Sequence, residues 1–200
     1  MTLISDFKTL CDFRAPLHEE PFITIDTEFM REKTYWPQLC LVQIGAKNTA
    51  AAIDVLADGM DLKPVFELLR NKKVTKVFHA ARQDLEIFLH LSGKLPEPFF
   101  DTQVAAMVCG FGDAVGYEPL VAKLANAQVD KGSRFTDWSA RPLSERQINY
   151  ALADVTHLRV AYDKLQKRLK QEKRTHWIEE EMNILRDPST YRPDPKEVYQ

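Results

Sequence analysis

Two carboxylates separated by one residue interrupt the most apolar predicted strand of this chain. Asp26 and Glu28 lie within the segment FITIDTEF. On a strand, residues i and i+2 point to the same face, so both side chains project together. An isolated pair of this kind is more often an ordinary solvent-facing alternation at a strand end. Here apolar residues flank the pair on both sides, which makes the two carboxylates candidates for chemistry.

Two further acidic residues occur at predicted structural junctions. Asp84 falls in the first turn of the helix after the segment VTKVFHA, where a negative charge also suits the helix dipole. Tyr150 and Asp154 are four residues apart and therefore share one helical face. Each of these positions, taken alone, is explained by an ordinary structural role.

If these carboxylates converge on one pocket, they repel each other unless cations fill it. Hard divalent ions with oxygen ligands are the natural partners. Two such ions about 4 Å apart can stabilise both the attacking and the leaving oxygen of a phosphoryl displacement. The three cysteines form no CxxC pair, so a zinc site is not favoured. The residues themselves therefore predict metal-dependent cleavage of phosphodiesters.

The elements that must position these residues are predicted from periodicity. A meander of antiparallel strands opens the chain, and strands alternating with helices follow, which implies parallel crossovers on the same sheet. The predicted fold is α/β, with a mixed five-stranded sheet flanked by helices. The predicted strands are 22–29, 38–46, 50–56, 74–80 and 99–102.

Helices are predicted from the 3.6-residue period and from capping signals. Ser144 and Gln147 form a capping-box pattern, so a long helix is expected from there to about Lys173. The other predicted helices are 61–71, 83–91, 177–185 and one that follows the strand 99–102 and runs through Val108.

A long loop without periodicity is predicted over residues 129–143. It combines cations with an aromatic residue, as single-strand binding surfaces do. An ordinary surface loop with its tryptophan anchored in the core explains the pattern equally well. The candidate substrate contacts in this loop are Lys131, Arg134, Trp138 and Arg141.

Other candidate substrate contacts surround the carboxylates. Phe29 and Met30 could pack against a terminal base or ribose, although core or rim packing is at least as plausible for Met30. His79 ends a predicted strand beside the site and could contact a phosphate or a sugar, whereas a lone histidine is usually structural. Thr27, between the two carboxylates, completes this set.

The composition restricts the class of protein. Lys and Arg number 27 and Asp and Glu 29, which gives a net charge of −2 and excludes a strongly cationic coat. A nucleic-acid enzyme stays possible, because local patches and bound cations matter more than the total. The sequence shows no hydrophobic signal core and no window of membrane-spanning length. We therefore expect a cytoplasmic location and no membrane partner.

Three separated strings closely resemble the ribonuclease D family, in the tyrosine-bearing branch of the DEDD exonuclease superfamily. They are FITIDTEFMREKTYWPQLCLVQIG, KVFHAARQDLEIF and DWSARPLSERQINYALADVTHL. The resemblance implies a ribonuclease H-like fold and a 3′-5′ exoribonuclease that needs two divalent ions, Mg²⁺ or Mn²⁺. It also implies release of nucleoside 5′-monophosphates from RNA with a free 3′ end, including transfer-RNA precursors.

The resemblance assigns roles to individual residues. Tyr150 takes the position of the catalytic tyrosine, whereas the histidine-bearing branch would place a histidine at Asn149. The implied metal ligands, which are also catalytic, are Asp26, Glu28, Asp84 and Asp154.

The domain prediction follows from the same comparison. Residues 1–186 are expected to form the exonuclease domain, and residues 187–200, with three prolines, a linker-like tail. Family enzymes continue into C-terminal helical domains that help hold RNA, and we expect this chain to lack them. A DNA 3′-5′ exonuclease and a catalytically silent RNA-binding module stay open as alternatives.

Overall fold

The structure is a computed structural model, and it describes residues 2–31, 35–129, 132 and 136–191. Within these residues, a mixed sheet of six strands forms the centre. The sheet order is β1-β4-β3-β2-β5-β6. The middle strands β2, β3 and β4 pair antiparallel, whereas β5 and β6 run parallel to β2. The strands are β1 (Thr2–Ile4), β2 (Phe22–Met30), β3 (Gln38–Gly45), β4 (Ala50–Asp54), β5 (Thr75–Phe78) and β6 (Phe99–Asp101).

The α/β class with a mixed sheet is confirmed, but the predicted number of five strands is wrong. The additional strand, β1, pairs in parallel with β4 at the edge of the sheet. It is three residues long, which is too short for a period of two to stand out. Its strand conformation comes from the hydrogen bonds that β4 offers and not from a local pattern.

Helices cover both faces of the sheet. The capping box predicted at Ser144 is present, because its side chain and that of Gln147 bond reciprocally to each other's backbone. Two helices, α1 and α5, were not predicted. The helices are α1 (Phe7–Arg14), α2 (Lys63–Leu69), α3 (Arg82–Ser92), α4 (Thr102–Val108), α5 (Tyr117–Ala125), α6 (Glu145–Gln171) and α7 (Thr175–Arg186).

The long helix α6 lies directly on the middle strands, and a polar bond fixes its height. Thr24 of β2 donates a hydrogen bond of 2.6 Å to the backbone carbonyl of Val155. Gly45 of β3 faces the same carbonyl, and a Cβ there would lie 2.9 Å from it and 2.5 Å from Thr24 Oγ1. The absence of a side chain at Gly45 therefore lets α6 approach the sheet. The approach brings Asp154, the next residue to Val155, close to β2.

The helix α3 begins at a strained turn that a single carboxylate holds. Ala80 adopts a φ of 55°, in the left-handed region that non-glycine residues seldom occupy. The backbone N–H groups of Ala80 and Ala81 donate to the two oxygens of Asp101, at 3.0 and 2.8 Å. Asp101 lies at the end of β6 and thereby ties the start of α3 to the sheet. Asp84, in the first turn of α3, is positioned by this anchor.

The end of the described chain packs against the domain. Residues Pro188–Tyr191 form a 3₁₀ turn, and the Tyr191 hydroxyl donates to the carbonyl of Leu185 at 2.7 Å. Tyr191 belongs to the hydrophobic core. The division into a domain over 1–186 and a tail over 187–200 stays a prediction. In the described ranges, no helix has both the length and the apolar character needed to cross a bilayer.

Substituting Gly45 tests the close approach of α6. We expect Gly45→Ala to lower the free energy of unfolding by about 1–3 kcal/mol, the usual cost of forcing extra volume into a packed core. Urea denaturation followed by circular dichroism measures the change. Gly116→Ala is the control, because its new Cβ would meet its nearest neighbour at an ordinary 3.7 Å. Equal unfolding free energies for the two variants would show that Gly45 does not set the height of α6.

Candidate active site

Three carboxylates from two elements meet above the sheet. Asp26 and Glu28 project from the same face of β2, and Asp154 comes from α6. One oxygen from each lies within 4.8 Å of the oxygens of the other two. The convergence that the sequence predicted for these three residues is therefore present in the structure.

Asp84 reaches the site from α3 and is held by a neighbour of the pair. The hydroxyl of Thr27 donates to Asp84 Oδ1 at 2.5 Å. Because side chains alternate along a strand, Thr27 points away from the face that carries Asp26 and Glu28. Thr27 and Asp84 are both about 6% exposed, so this bond is buried. Thr27, predicted as a substrate contact, thus also orients a carboxylate.

Burial and mutual repulsion make ionisation of these carboxyl groups unfavourable. Burial raises the pKa of Asp26 from its ordinary value to about 6. Burial also raises the pKa of Asp84 well above its ordinary value, and the nearby charge of Asp26 raises it further. An oxygen-rich site of this kind fits a hard divalent cation, whose charge would favour the ionised carboxylates.

Tyr150 lies beside the cluster, and its hydroxyl stays protonated. Burial raises its pKa, and the charges of Asp154, Glu28 and Asp26 add to the shift. A phenol in this setting can donate a hydrogen bond but is not a base near neutral pH. The raised pKa of Tyr150 therefore favours a positioning role over proton abstraction.

Tyr117 on α5 is a second tyrosine at the site, and the sequence reasoning missed it. Its hydroxyl donates to the backbone carbonyls of Ala153, at 3.2 Å, and Asp154. Burial raises its pKa, and the charge of Asp154 adds to the shift. Tyr117 therefore fixes the backbone of α6 where Asp154 projects. No motif in the sequence marks it, because its partners are 36 and 37 residues away.

The carboxylates line a cavity of about 840 Å³. Its size is in the range of small-molecule and cofactor sites, which hold about 300–1,000 Å³. Several predicted substrate contacts line it, namely Thr27, Phe29, Met30, His79 and Trp138. Polar residues that the sequence reasoning did not single out also line it, namely Arg31, Gln83, Gln103, Glu118 and Thr136.

His79 is neutral and partly engaged within the fold. Its Nδ1 is 2.9 Å from the hydroxyl of Thr102, which in turn donates to the carbonyl of Phe78. Burial lowers the pKa of His79 below its ordinary value. At neutral pH the ring is therefore a hydrogen-bonding group and not a cation for phosphate.

Trp138 has the core-anchor role that the sequence offered as one alternative, and its contact with a substrate stays a prediction. Only 2% of it is exposed, and it packs in a core cluster with Leu41 and Leu152. Its ring centroid lies 6.1 Å from that of Tyr150. Trp138 therefore anchors the loop in the core and supports Tyr150 from behind while lining the cavity. Lys131 and Arg134, predicted in the same loop, lie outside the described residues.

Arg141 is a correction to the predicted substrate contacts. Its guanidinium donates to both oxygens of Asp54, at 2.8 and 2.7 Å, and to the carbonyls of Cys40 and Trp138. It does not line the catalytic cavity. These bonds occupy the guanidinium with internal partners, so Arg141 fastens the loop to β3 and β4. The loop sequence could not reveal this, because Asp54 precedes Arg141 by 87 residues.

The α/β fold agrees with membership of the 3′-5′ exonuclease class of proteins. The family model described as "3'-5' exonuclease" matches residues 1–170, and the chain belongs to this family. Ribonuclease D of Granulibacter bethesdensis is 56% identical over 199 residues, which cover 100% of this chain and 50% of that protein. The resemblance to ribonuclease D is thereby confirmed, and the chain spans about half the length of the curated relatives it matches.

Solved structures agree with this assignment. Escherichia coli RNase D, an exoribonuclease involved in structured RNA processing, superposes with a TM-score of 0.92 at 34% identity, covering 98% of this chain and 52% of its own. Brucella melitensis NrnC with bound Mg²⁺ gives a TM-score of 0.78 at 28% identity, covering 95% and 90%. NrnC bound to pGG gives 0.80 at the same identity and coverage.

The raised carboxyl pKa values predict how stability depends on pH without metal. The folded protein holds these protons more tightly than the unfolded chain, in which a carboxyl group titrates near 4. The stabilisation is complete below about pH 4. It is lost as the pH rises through about 6, the pKa of Asp26. In chelator at pH 7.5, Asp84→Asn should therefore raise the free energy of unfolding by on the order of 1 kcal/mol, because the amide never ionises.

Thermal melts of the wild type and Asp84→Asn across this pH range measure the difference. The gain should shrink towards pH 4, where the wild-type carboxyl groups are protonated. Asp58→Asn, at an exposed acidic residue, is the control and should show no such trend. A pH-independent gain in Asp84→Asn would mean that the ionisation of Asp84 is not its cause.

Proposed function

We propose that this chain is the catalytic part of a metal-dependent 3′-5′ exoribonuclease that releases nucleoside 5′-monophosphates from RNA 3′ ends. The observation that carries the proposal is the set of carboxylates Asp26, Glu28 and Asp154, whose oxygens lie within 4.8 Å of one another in a large cavity. Membership of the 3′-5′ exonuclease family supports it. The ribonuclease D relatives support RNA as the substrate.

Two divalent ions, Mg²⁺ or Mn²⁺, would be held by the four acidic residues. Asp26, Glu28 and Asp154 would hold one ion, and Asp26 with Asp84 the other. Ions bound there would acidify water and neutralise charge on the phosphate that is cleaved. The Mg²⁺ bound to NrnC, a structural neighbour, supports an ion of this kind.

The protein's own groups would position the reacting atoms. The protonated hydroxyl of Tyr150 would orient the attacking water by a hydrogen bond. Thr27 would keep the carboxylate of Asp84 in place through its bond of 2.5 Å. Tyr117 would hold the backbone at Asp154, so that the spacing of the carboxylates is set before the substrate arrives.

The terminal nucleotide would occupy the cavity, where Phe29 and Met30 offer apolar contacts and His79 offers a neutral ring. The pGG bound to NrnC supports binding of a short oligonucleotide strand by this fold. Transfer-RNA precursors are the proposed natural substrates, since E. coli RNase D acts in structured RNA processing. We also propose a cytoplasmic location, and a division into a catalytic domain over 1–186 and a tail over 187–200.

Degradation assays test the proposal directly. RNA labelled at its 5′ end should shorten progressively from its 3′ end in Mg²⁺ or Mn²⁺, with release of nucleoside monophosphates. Excess chelator should abolish the reaction, because the carboxylates then lack the cations that admit an anionic phosphate. Faster degradation of a matched DNA strand would support a DNA exonuclease instead. Binding of RNA without any degradation would support a catalytically silent module.

Two variants one helical turn apart separate metal binding from water positioning. Asp154→Asn should weaken metal binding and abolish turnover, since it removes a ligand and its charge. Tyr150→Phe should bind metal almost normally but turn over more slowly, on the order of ten- to a thousand-fold, because it loses only the hydroxyl. Calorimetric metal titration and single-turnover kinetics measure the two effects. Cleavage by Tyr150→Phe at the wild-type rate would show that the Tyr150 hydroxyl has no role in turnover and that Tyr150 only contributes to packing.

A further inference from the structure

An exposed group of rings lies just beyond the catalytic strand, and the proposed chemistry does not use it. Tyr35 is 52% exposed, and its ring meets that of Trp36 edge-on, with centroids 5.1 Å apart. Trp36 in turn stacks on His90 of α3, with centroids 4.2 Å apart and planes at 14°. We call these three residues the aromatic platform.

The platform continues the catalytic cavity along one face of α3. Gln83 lines the cavity, and Glu86 and His90 follow it at spacings of three and four residues, which places all three on the same face. At about 1.5 Å per residue, His90 lies about 10 Å along the helix from Gln83.

Arg31 bridges the space between the cavity and the platform. It lines the cavity, and its guanidinium pairs with Glu86 at 3.2 Å. Its side chain is 43% exposed, so it is accessible from solvent. A path therefore runs from the carboxylates past a cation to the exposed rings.

We propose that the aromatic platform stacks a base of the RNA strand upstream of the nucleotide in the cavity. This inference rests on the proposed function, because it requires a strand with its 3′ end in that cavity. Stacked nucleotides in one strand advance by about 3.4 Å, so 10 Å corresponds to about three nucleotides. The backbone between them would pass Arg31, whose charge is opposite to that of phosphate.

Stacking suits this position because every base has a π-face that an aromatic side chain can contact. The platform would therefore extend binding without selecting a sequence. A protein partner could also cover exposed rings. However, binding of a protein partner does not explain why the rings are connected to the cavity along one face of α3. The continuous face of α3 between the cavity and the platform favours an RNA strand that lies along it.

A series of RNA lengths tests the platform. In the wild type, KM should fall about tenfold once the strand is long enough to reach it, because one stacked base is worth about that much. In the double variant Tyr35→Ala/Trp36→Ala, this fall should disappear, whereas kcat/KM on a dinucleotide should stay at the wild-type value. Tyr35→Ala alone, at a side chain that is half in solvent, gives a partial effect without disturbing the contact with α3.

Abasic nucleotides locate the contact on the RNA. An abasic residue about three positions upstream should raise KM for the wild type but not for the double variant. Trp177→Ala is the matched control, since Trp177 is 49% exposed on α7, away from this face of α3. It should retain the full dependence on length.

The outcomes separate this inference from the proposed function. If the wild type degrades no RNA, the proposed function fails. If it degrades RNA but the double variant keeps the wild-type length profile, the platform does not bind the strand, and a protein partner becomes its explanation. An equal loss in Trp177→Ala, or a loss on the dinucleotide, would also overturn the inference.

Discussion

Repulsion among closely spaced carboxylates, two of them half-buried and two buried, is the constraint on which the rest of this structure depends. Asp26, Glu28 and Asp154 bring oxygens within 4.8 Å of one another, and Asp84 adds a further charge to the same cavity. Without a cation this arrangement resists ionisation, as the raised pKa values of Asp26 and Asp84 show. The fold must therefore fix the backbone segments that carry these carboxylates, because mutual repulsion would otherwise move the carboxylates apart.

Contacts away from the carboxylate cluster supply that support. Thr24 bonds to the carbonyl of Val155, Tyr117 bonds to the carbonyls of α6, and Asp101 anchors the turn before α3. Each bond fixes a backbone segment that carries a carboxylate while leaving the carboxylate's own oxygens for other partners. A site built this way can keep its geometry whether or not its charges are balanced, which suits residues expected to hold ions.

The surroundings of the cluster are compatible with the RNA strand that we propose as its substrate. The cavity is lined by apolar and aromatic side chains next to the acidic groups, and Arg31 and the aromatic platform extend it along α3. The net charge of −2 is no obstacle, since two divalent cations bound at the cluster would neutralise its four carboxylate charges. The curated relatives are about twice as long as this chain.

The sequence by itself determined the features that depend on local spacing. The alternation in FITIDTEF placed Asp26 and Glu28 on one face, the spacing of Tyr150 and Asp154 placed them on one turn, and the capping box gave the start of α6. The tertiary structure alone decided which distant groups meet. It paired β1 with β4, joined Thr27 to Asp84, buried Trp138, and turned Arg141 inward to Asp54. The side-chain periodicity of a strand or helix can be recognised within a few neighbouring residues. The hydrogen bonds from Thr27 to Asp84 and from Arg141 to Asp54 join residues 57 and 87 positions apart, so they form only once the chain has folded.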